Sequence, residues 1–291
     1  MSVNDLMKSW VLPPEIANMI RKAMEYRFVP VAEKALLQQN VELANRHQGE
    51  RCFILGAGSS IKQQDIRRLR DEFVVSVSNT FVHPDYSFIQ PRYHVLPHIR
   101  YGHKQFYADE KFVGWLRTME AATQQAEIFF HIGDRSLIED NGLFGNTTIH
   151  WVEYCDWNGD KDFLINLARV PRIWSVSELA ITIALYLGFD KIYLIGFDHD
   201  WFNGTLKYFY DHSKEHAMKP DESVLRASGV DAEFQMRRHA DIFKKYKYLY
   251  AIRQNIYNAN SDPNHYLDVF PKVDFESLFP AGKEGGGRCA G

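Results

Sequence analysis

The chain has 291 residues, with 34 Lys and Arg against 37 Asp and Glu for a formal charge of −3, and 45% of it is hydrophobic. That charge balance excludes a general nucleic-acid binder, which needs a basic footprint, and the length suffices to bury the core of one α/β domain with appendages. Three cysteines, Cys52, Cys155 and Cys289, share no paired or metal-ligand spacing, which fits a reducing compartment.

Residues 1–48 read as an N-terminal helical appendage. A helix opens at Pro13-Pro14, and Ile16, Met19, Ile20, Ala23 and Met24 form an apolar stripe beside Arg21, Lys22 and Arg27. The stripe suits three surfaces: the inner face of the cytoplasmic membrane, a second copy of the chain, or its own domain. Residues 1–48 are interrupted by charges and prolines, so no secretory signal is expected, and no window approaches the ~20 apolar residues of a membrane span. The expected location is cytoplasmic, with peripheral contact to the inner membrane as an option.

Residues 49–279 carry the expected catalytic domain. Cys52-Phe53-Ile54-Leu55 is an apolar run too short for a helix, and it ends on Gly56-Ala57-Gly58-Ser59-Ser60. A short helix should follow, capped by Ser59 and Ser60 and facing inward through Ile61, Ile66 and Leu69, before Phe73 to Val77 returns as a second strand. Glycines at such a turn let backbone approach a ligand, and N–H groups at a helix start suit a phosphate. The third glycine of the dinucleotide fingerprint is missing, and Ser78-Asn79 stands where a ribose-binding acid would be, so ordinary NAD binding is disfavoured. A tight turn without a ligand is the alternative reading.

Further on, Arg92 to His98 reads as a strand, Lys111 to Gln125 as a helix, Glu127 to His131 as a strand, Asp134 to Asn146 as a loop and Thr147 to Val152 as a strand. His83, His94, His98 and His103 cluster locally, but at irregular intervals and without a carboxylate pair, so a metal site is disfavoured. The stretch Trp174 to Gly188 reads as a helix buried on most sides, with serines at its start and Gly188 at its C-cap, and Lys191 to Phe197 as a central strand that delivers Asp198-His199-Asp200 to its carboxyl end. Asp198 is placed for chemistry or for capping a turn. Beyond it, Tyr208, Tyr210, His212 and His216 lie in an aromatic, polar segment that suits an active-site lid. Asp231 to Arg253 is a long helix whose charges read as a solvated face, Asn255 to Asn260 a last strand, and residues 280–291 a disordered tail. The fold expected is a Rossmann-like, mostly parallel sheet with helices on both faces, in which the strands leading to Gly56, Asn79 and Asp198 are neighbours.

The runs ILGAGSS at 54–60 and SELAITIALYLGFDKIYLIGFDHDW at 177–201, with the HPDY and RYHVL segments, resemble the MptE-like family of bacterial polysaccharide-biosynthesis proteins, with similarity to the sialyltransferases of glycosyltransferase family 42. The resemblance covers roughly residues 50–275. It implies a glycosyltransferase that moves a sugar, such as a CMP-activated acidic sugar, from a nucleotide donor to a surface-polysaccharide or lipopolysaccharide acceptor. It also implies donor contacts at Gly56, Ala57, Gly58, Ser59, Ser60 and Asn79, and at the helix start Ser175, Val176 and Ser177. The chain departs from the sialyltransferases in lacking their Thr-Ser-Gly there, and Ala227 aligns with their catalytic histidine. Tyr208 and Tyr210 are the nearest candidates for stabilising the leaving phosphate, and His212, His216 and then His199 for the base. No cofactor is required by that chemistry. The Asp198-x-Asp200 pattern leaves Mg²⁺ as an alternative. Two rival functions are an MptE-like 6-hydroxymethylpterin pyrophosphokinase using ATP and Mg²⁺, and a non-catalytic nucleotide-binding scaffold.

Overall fold

A computed structural model describes residues 31–99, 109–155, 167–199, 208–210, 232–261 and 267–280. Most of the expected N-terminal appendage, the lid histidines His212 and His216, Asp200, His103 and the tail lie outside these residues.

Seven strands form one sheet in the order β5-β4-β3-β2-β1-β8-β9, every neighbouring pair parallel. They are β1 (Arg51–Leu55), β2 (Phe73–Val77), β3 (Tyr93–Val95), β4 (Glu127–His131), β5 (Ile149–Val152), β8 (Lys191–Ile195) and β9 (Ile256–Asn258). A short parallel pair, β6 (Tyr154–Cys155) with β7 (Val170–Pro171), stands apart. Runs such as Cys52-Phe53-Ile54-Leu55 are apolar at every position because both faces of a parallel sheet are covered. Cys52 and Ile54 join one core layer and Phe53 and Leu55 another.

The helices are α1 (Val31–Gln38), α2 (Tyr86–Ile89), α3 (Asp109–Ala122), α4 (Arg135–Glu139), α5 (Val176–Leu187) and α6 (Ala232–Arg253). One sheet face packs on α5 and, through it, α6, which contributes Ile242, Tyr246 and Leu249. The other face carries α3 and α4 over β4 and β5, through Phe112, Leu116, Met119 and Leu137. Ile61, Ile66, Leu69 and Phe275 cover β1 and β8 on that face. No helix among the described residues is long and apolar enough to cross a membrane.

The segment from α1 to β1 is tied to this core. Leu37 and Leu43 are buried, Asn40 donates to the Trp151 carbonyl at 2.6 Å, and Tyr186 donates to the Asn40 carbonyl. His47 stacks on Phe189 at 4.5 Å and bonds the Tyr93 hydroxyl.

Three local expectations differ from the structure. The turn after Gly58 leads into two 3-10 turns, Ser59–Gln63 and Ile66–Leu69, in place of one helix. The Ser60 hydroxyl does not cap the first of them, because Asp198 takes it. The loop at 134–146 contains α4, built on Leu137 and Ile138. The charges of α6 are not all solvated, since Lys245 is buried and pairs with Glu178 at 2.9 Å.

That pair sits where α5 begins. Ser175 and Glu178 form a capping box, and Glu178 also accepts the Trp174 N–H, so one buried carboxylate serves a helix start and a cation from α6. Removing one partner of such a pair strands the other charge. Lys245→Met should therefore cost about 3 kcal/mol of unfolding free energy, and the paired change with Glu178→Gln should recover part of it, read from denaturant midpoints.

Candidate functional site

In this sheet β1 leads to β2 on one side, while β8 lies on its other side, so the chain reverses its winding between β1 and β8. Ligands of open α/β sheets bind at such a switch point, beyond the carboxyl ends of the strands. Gly56 to Ser60 leave β1 there and Gly196 to His199 leave β8 beside them.

The two exits are bonded to each other. Gly56 N–H donates to the Ile195 carbonyl at 2.7 Å and Gly58 N–H to the Gly196 carbonyl at 2.8 Å, which prolongs the ladder past the strands. Asp198 then folds its carboxylate onto the turn, accepting from Ser60 N–H at 3.0 Å, from the Ser60 hydroxyl, and from the Ser59 hydroxyl at 3.5 Å. A Cβ on Gly58 would stand 2.6 Å from Asp198 Oδ2 and 2.7 Å from the Gly196 carbonyl oxygen. The glycine is required by this protein-to-protein approach. The Ser60 N–H that was expected to meet a phosphate already holds a carboxylate, so the turn's open side is what a ligand can use.

Residues beyond β9 fix the geometry from outside. Asn260 clamps Phe197 through both its amide atoms, at 3.2 and 3.0 Å, Gln64 donates to the Ala259 carbonyl, and Ser261 donates to the Ser60 carbonyl.

The described part of the lid segment crosses the glycine turn. Phe209 N–H donates to the Ala57 carbonyl at 3.1 Å, and Tyr208 makes an antiparallel bridge with Gly58. The Tyr208 and Tyr210 rings stack with centroids 5.2 Å apart, and the Tyr210 hydroxyl accepts from the Asn79 amide at 3.0 Å. Asn79 in turn accepts the Trp115 indole N–H at 2.8 Å. The structure thus brings Gly56, Ala57, Gly58, Ser59, Ser60, Asn79, Asp198, Tyr208 and Tyr210 together.

Ser175 and Ser177 are placed differently. Ser177 is fully buried and donates to the Ser175 hydroxyl at 2.7 Å, and both serve the start of α5. His199 is also spent inside the protein: its Nε2 bonds the Tyr246 hydroxyl at 2.8 Å, and the Tyr246 hydroxyl meets Ser177. Burial, followed by the charges of His239 and Arg238, lowers the His199 pKa to about 3. An imidazole so hard to protonate is a poor proton acceptor at neutral pH.

Sequence reasoning missed two residues. Trp115, on α3, orients Asn79, and nothing in its local pattern marks it. Arg238, on α6, donates to the Trp174 carbonyl. Burial lowers its pKa while Tyr208 and Glu178 oppose the shift, so it lies within electrostatic reach of the lid tyrosine. Arg238 was hidden in a charge run that read as solvated.

Asp198 does not fit a magnesium site, because its carboxylate is turned onto Ser59 and Ser60. Among the described residues no three His, Cys, Asp or Glu side chains stand together at metal-ligating separations. A cavity of about 590 Å³ lined by Arg117, Glu120, Gln125 and Thr147 opens near the amino ends of β4 and β5, away from the switch point.

No protein-family model matches the chain, and no curated protein matches it. Among solved structures it is similar to the sialyltransferase CstII from Campylobacter jejuni in complex with a substrate analogue, cytidine-5′-monophosphate. The TM-score is 0.42 and the identity 18%, over 78% of this chain and 85% of that one. It is similar also to sialyltransferase CST-II in complex with trisaccharide acceptor and CMP, at a TM-score of 0.40 and 16% identity over 77% and 86%. At these scores the functional reading rests on the site.

Two histidines buried in neutral form give the fold an acid limit. His94 and His199 both have pKa values lowered to about 3, by burial first, against about 6.5 in an unfolded chain. Below pH 6.5 the unfolded state binds the extra protons, so the stability present above that pH is lost as pH falls towards 3, at about 1.4 kcal/mol per pH unit for each histidine. Unfolding free energies of His199→Gln measured from pH 7 to 4 should fall less steeply than wild type by that slope. An unchanged slope would show that His199 is not held neutral.

Proposed function

We propose that the protein is a glycosyltransferase whose donor is a sugar linked to a nucleoside monophosphate, such as a CMP-activated acidic sugar, bound at the β1–β8 switch point. The observation that carries this reading is the crossing of the glycine turn by Tyr208-Phe209-Tyr210. It sets two stacked phenols and the Asn79 amide over a turn whose own phosphate site is filled by Asp198. A diphosphate there would bring two or more negative charges against that carboxylate. A single diester phosphate met by neutral hydroxyl and amide donors brings one negative charge and so about half the repulsion. The pyrophosphokinase alternative needs a divalent cation on the ATP phosphates, and it is disfavoured because the Asp198 carboxylate is bonded onto the turn and no three metal-ligating side chains gather among the described residues.

In the proposed reaction the acceptor hydroxyl attacks the anomeric carbon, the bond from that carbon to the phosphate oxygen breaks, and the nucleotide leaves with the bonding electron pair. Tyr210, held by Asn79, and Tyr208 donate to the departing phosphate. The acceptor proton passes to His212 or His216, which follow the tyrosines directly in sequence; the internal bonding of His199 supports that choice. The acceptor is a glycan or glycolipid of the cell surface, as the resemblance of the motifs suggests.

Incubation of the full chain with CMP-, UDP- and GDP-sugars, with released nucleotide as the readout, tests the reading. Release from a CMP-sugar is expected, and turnover of ATP to AMP with none of the three donors used would overturn it. Tyr210→Phe should lower kcat by roughly tenfold or more, as for a lost donor to a developing charge. Alanine at the base among His212 and His216 should lower it by about 10²–10⁴-fold with donor binding kept. Near-wild-type turnover in both histidine variants would exclude the lid base.

A further inference from the structure

A second cluster of polar side chains lies on the same edge of the sheet, beyond the carboxyl ends of β3, β4 and β5. His98 follows β3, His131 ends β4, and Glu153 follows β5 directly. We infer that His98, His131, Asp134 and Glu153 form a binding site for the hydroxyls of a neutral glycan, the acceptor side of the pocket; this rests on the glycosyltransferase reading.

The cluster is rigid and specific in its bonding. The His98 and His131 rings stack with centroids 4.0 Å apart and planes 12° from parallel. His131 Nδ1 accepts the Gly133 N–H at 3.0 Å, which leaves the ring proton on Nε2, and that nitrogen lies 3.2 Å from Glu153 Oε1. His98 Nε2 lies 3.5 Å from Asp134 Oδ1, and Asp134 is held by the Ile99 N–H at 2.8 Å. Tyr154 backs His131 with ring centroids 4.4 Å apart, and its hydroxyl accepts the His98 N–H. Even the neighbouring glycine is shaped to this pair, since a Cβ on Gly133 would stand 3.0 Å from both His131 and His98.

Folding alone gives little reason for such a set, because buried ion pairs stabilise no better than apolar packing of similar volume. The exposure pattern supports a site. Asp134 is fully buried and His131 nearly so, whereas the side chains of His98 and Glu153 remain 20% and 25% exposed, so a fixed inner layer supports an accessible rim.

Charge selects the ligand class. Two carboxylates face two imidazoles, of which His131 is neutral, so there is no net positive charge to favour an anion and there are carboxylates that would repel one. Alternating acceptors and donors of this kind suit vicinal sugar hydroxyls. The position agrees with that role. β3 is two strand spacings from β1, ~10 Å, so a sugar carried by a nucleotide at the glycine turn would extend past Asn79 and Tyr210 towards His98.

The test uses Glu153→Gln and His98→Gln in the full chain, with wild-type thermal unfolding checked first. The readouts are transfer to lactose and nucleotide release from the donor without acceptor. The expected result is a rise of about tenfold or more in the KM for lactose, with donor KM and acceptor-independent release within twofold of wild type. Glu153→Asp should recover part of the loss. An unchanged KM for lactose, or one that rises only together with donor KM, would overturn the site. If wild-type protein releases nucleotide from no donor, the glycosyltransferase reading fails first. Saturation-transfer NMR with lactose then decides the cluster separately: binding lost in both variants supports it, and no wild-type binding, or binding unaffected by the substitutions, removes it.

Discussion

The carboxylate of Asp198, set on the Ser60 N–H and hydroxyl, is the contact on which the candidate site depends. It joins the exits of β1 and β8, which neighbour each other in space but lie about 140 residues apart in sequence. Everything nearby follows from that join. Gly58 must lack a side chain to admit the carboxylate, the ladder runs on through Gly56 and Gly58, and the Phe209 N–H bonds the Ala57 carbonyl across the turn. The N–H groups of such a turn suit an anion, and here the protein supplies the anion itself. The site therefore differs in its electrostatics from a glycine-rich turn that leaves its N–H groups open to a phosphate.

Much of the fold is legible in the sequence because parallel strands announce themselves. RCFIL, FVVSV and KIYLI are apolar on both faces, and their bounding glycines and charges mark the ends. The buried helix before β8 is equally plain from Ser175, Ser177 and Gly188, with Gly188 at φ 86° where the C-cap was expected. Short elements are harder to read. A four- or five-residue 3-10 turn such as Ile66–Leu69 leaves the same apolar spacing as one irregular helix, and α4 is hidden among the polar residues of 134–146.

The site was legible by strand end and not by partner. Gly58, Asn79, Asp198 and the lid tyrosines could be named because each stands directly beyond an apolar strand or in an aromatic segment. That their three strands are neighbours was expected and is observed in the order β2-β1-β8, but which side chains touch is set by the paths of the loops beyond those strands. Of the two roles open to Asp198, chemistry or capping a turn, the structure shows its carboxylate bonded onto the turn, and Ser177 moves from ligand contact to an interior chain of hydroxyls. Arg238, His131 and Glu153 were missed for a related reason. Each belongs to a helix face or strand end whose neighbours lie far away in sequence, so its burial and pairing leave no local signature.

With its inner side taken by Asp198, the switch point should accept a ligand with one phosphate in preference to two. Calorimetric titration of CMP and CDP without divalent cations, into wild type and Asp198→Asn, tests it most directly. Wild type should bind CMP about tenfold or more tighter than CDP, and the gap should narrow once the carboxylate's charge is gone. CDP binding as tightly as CMP in wild type, or a gap that Asp198→Asn leaves unchanged, would contradict it.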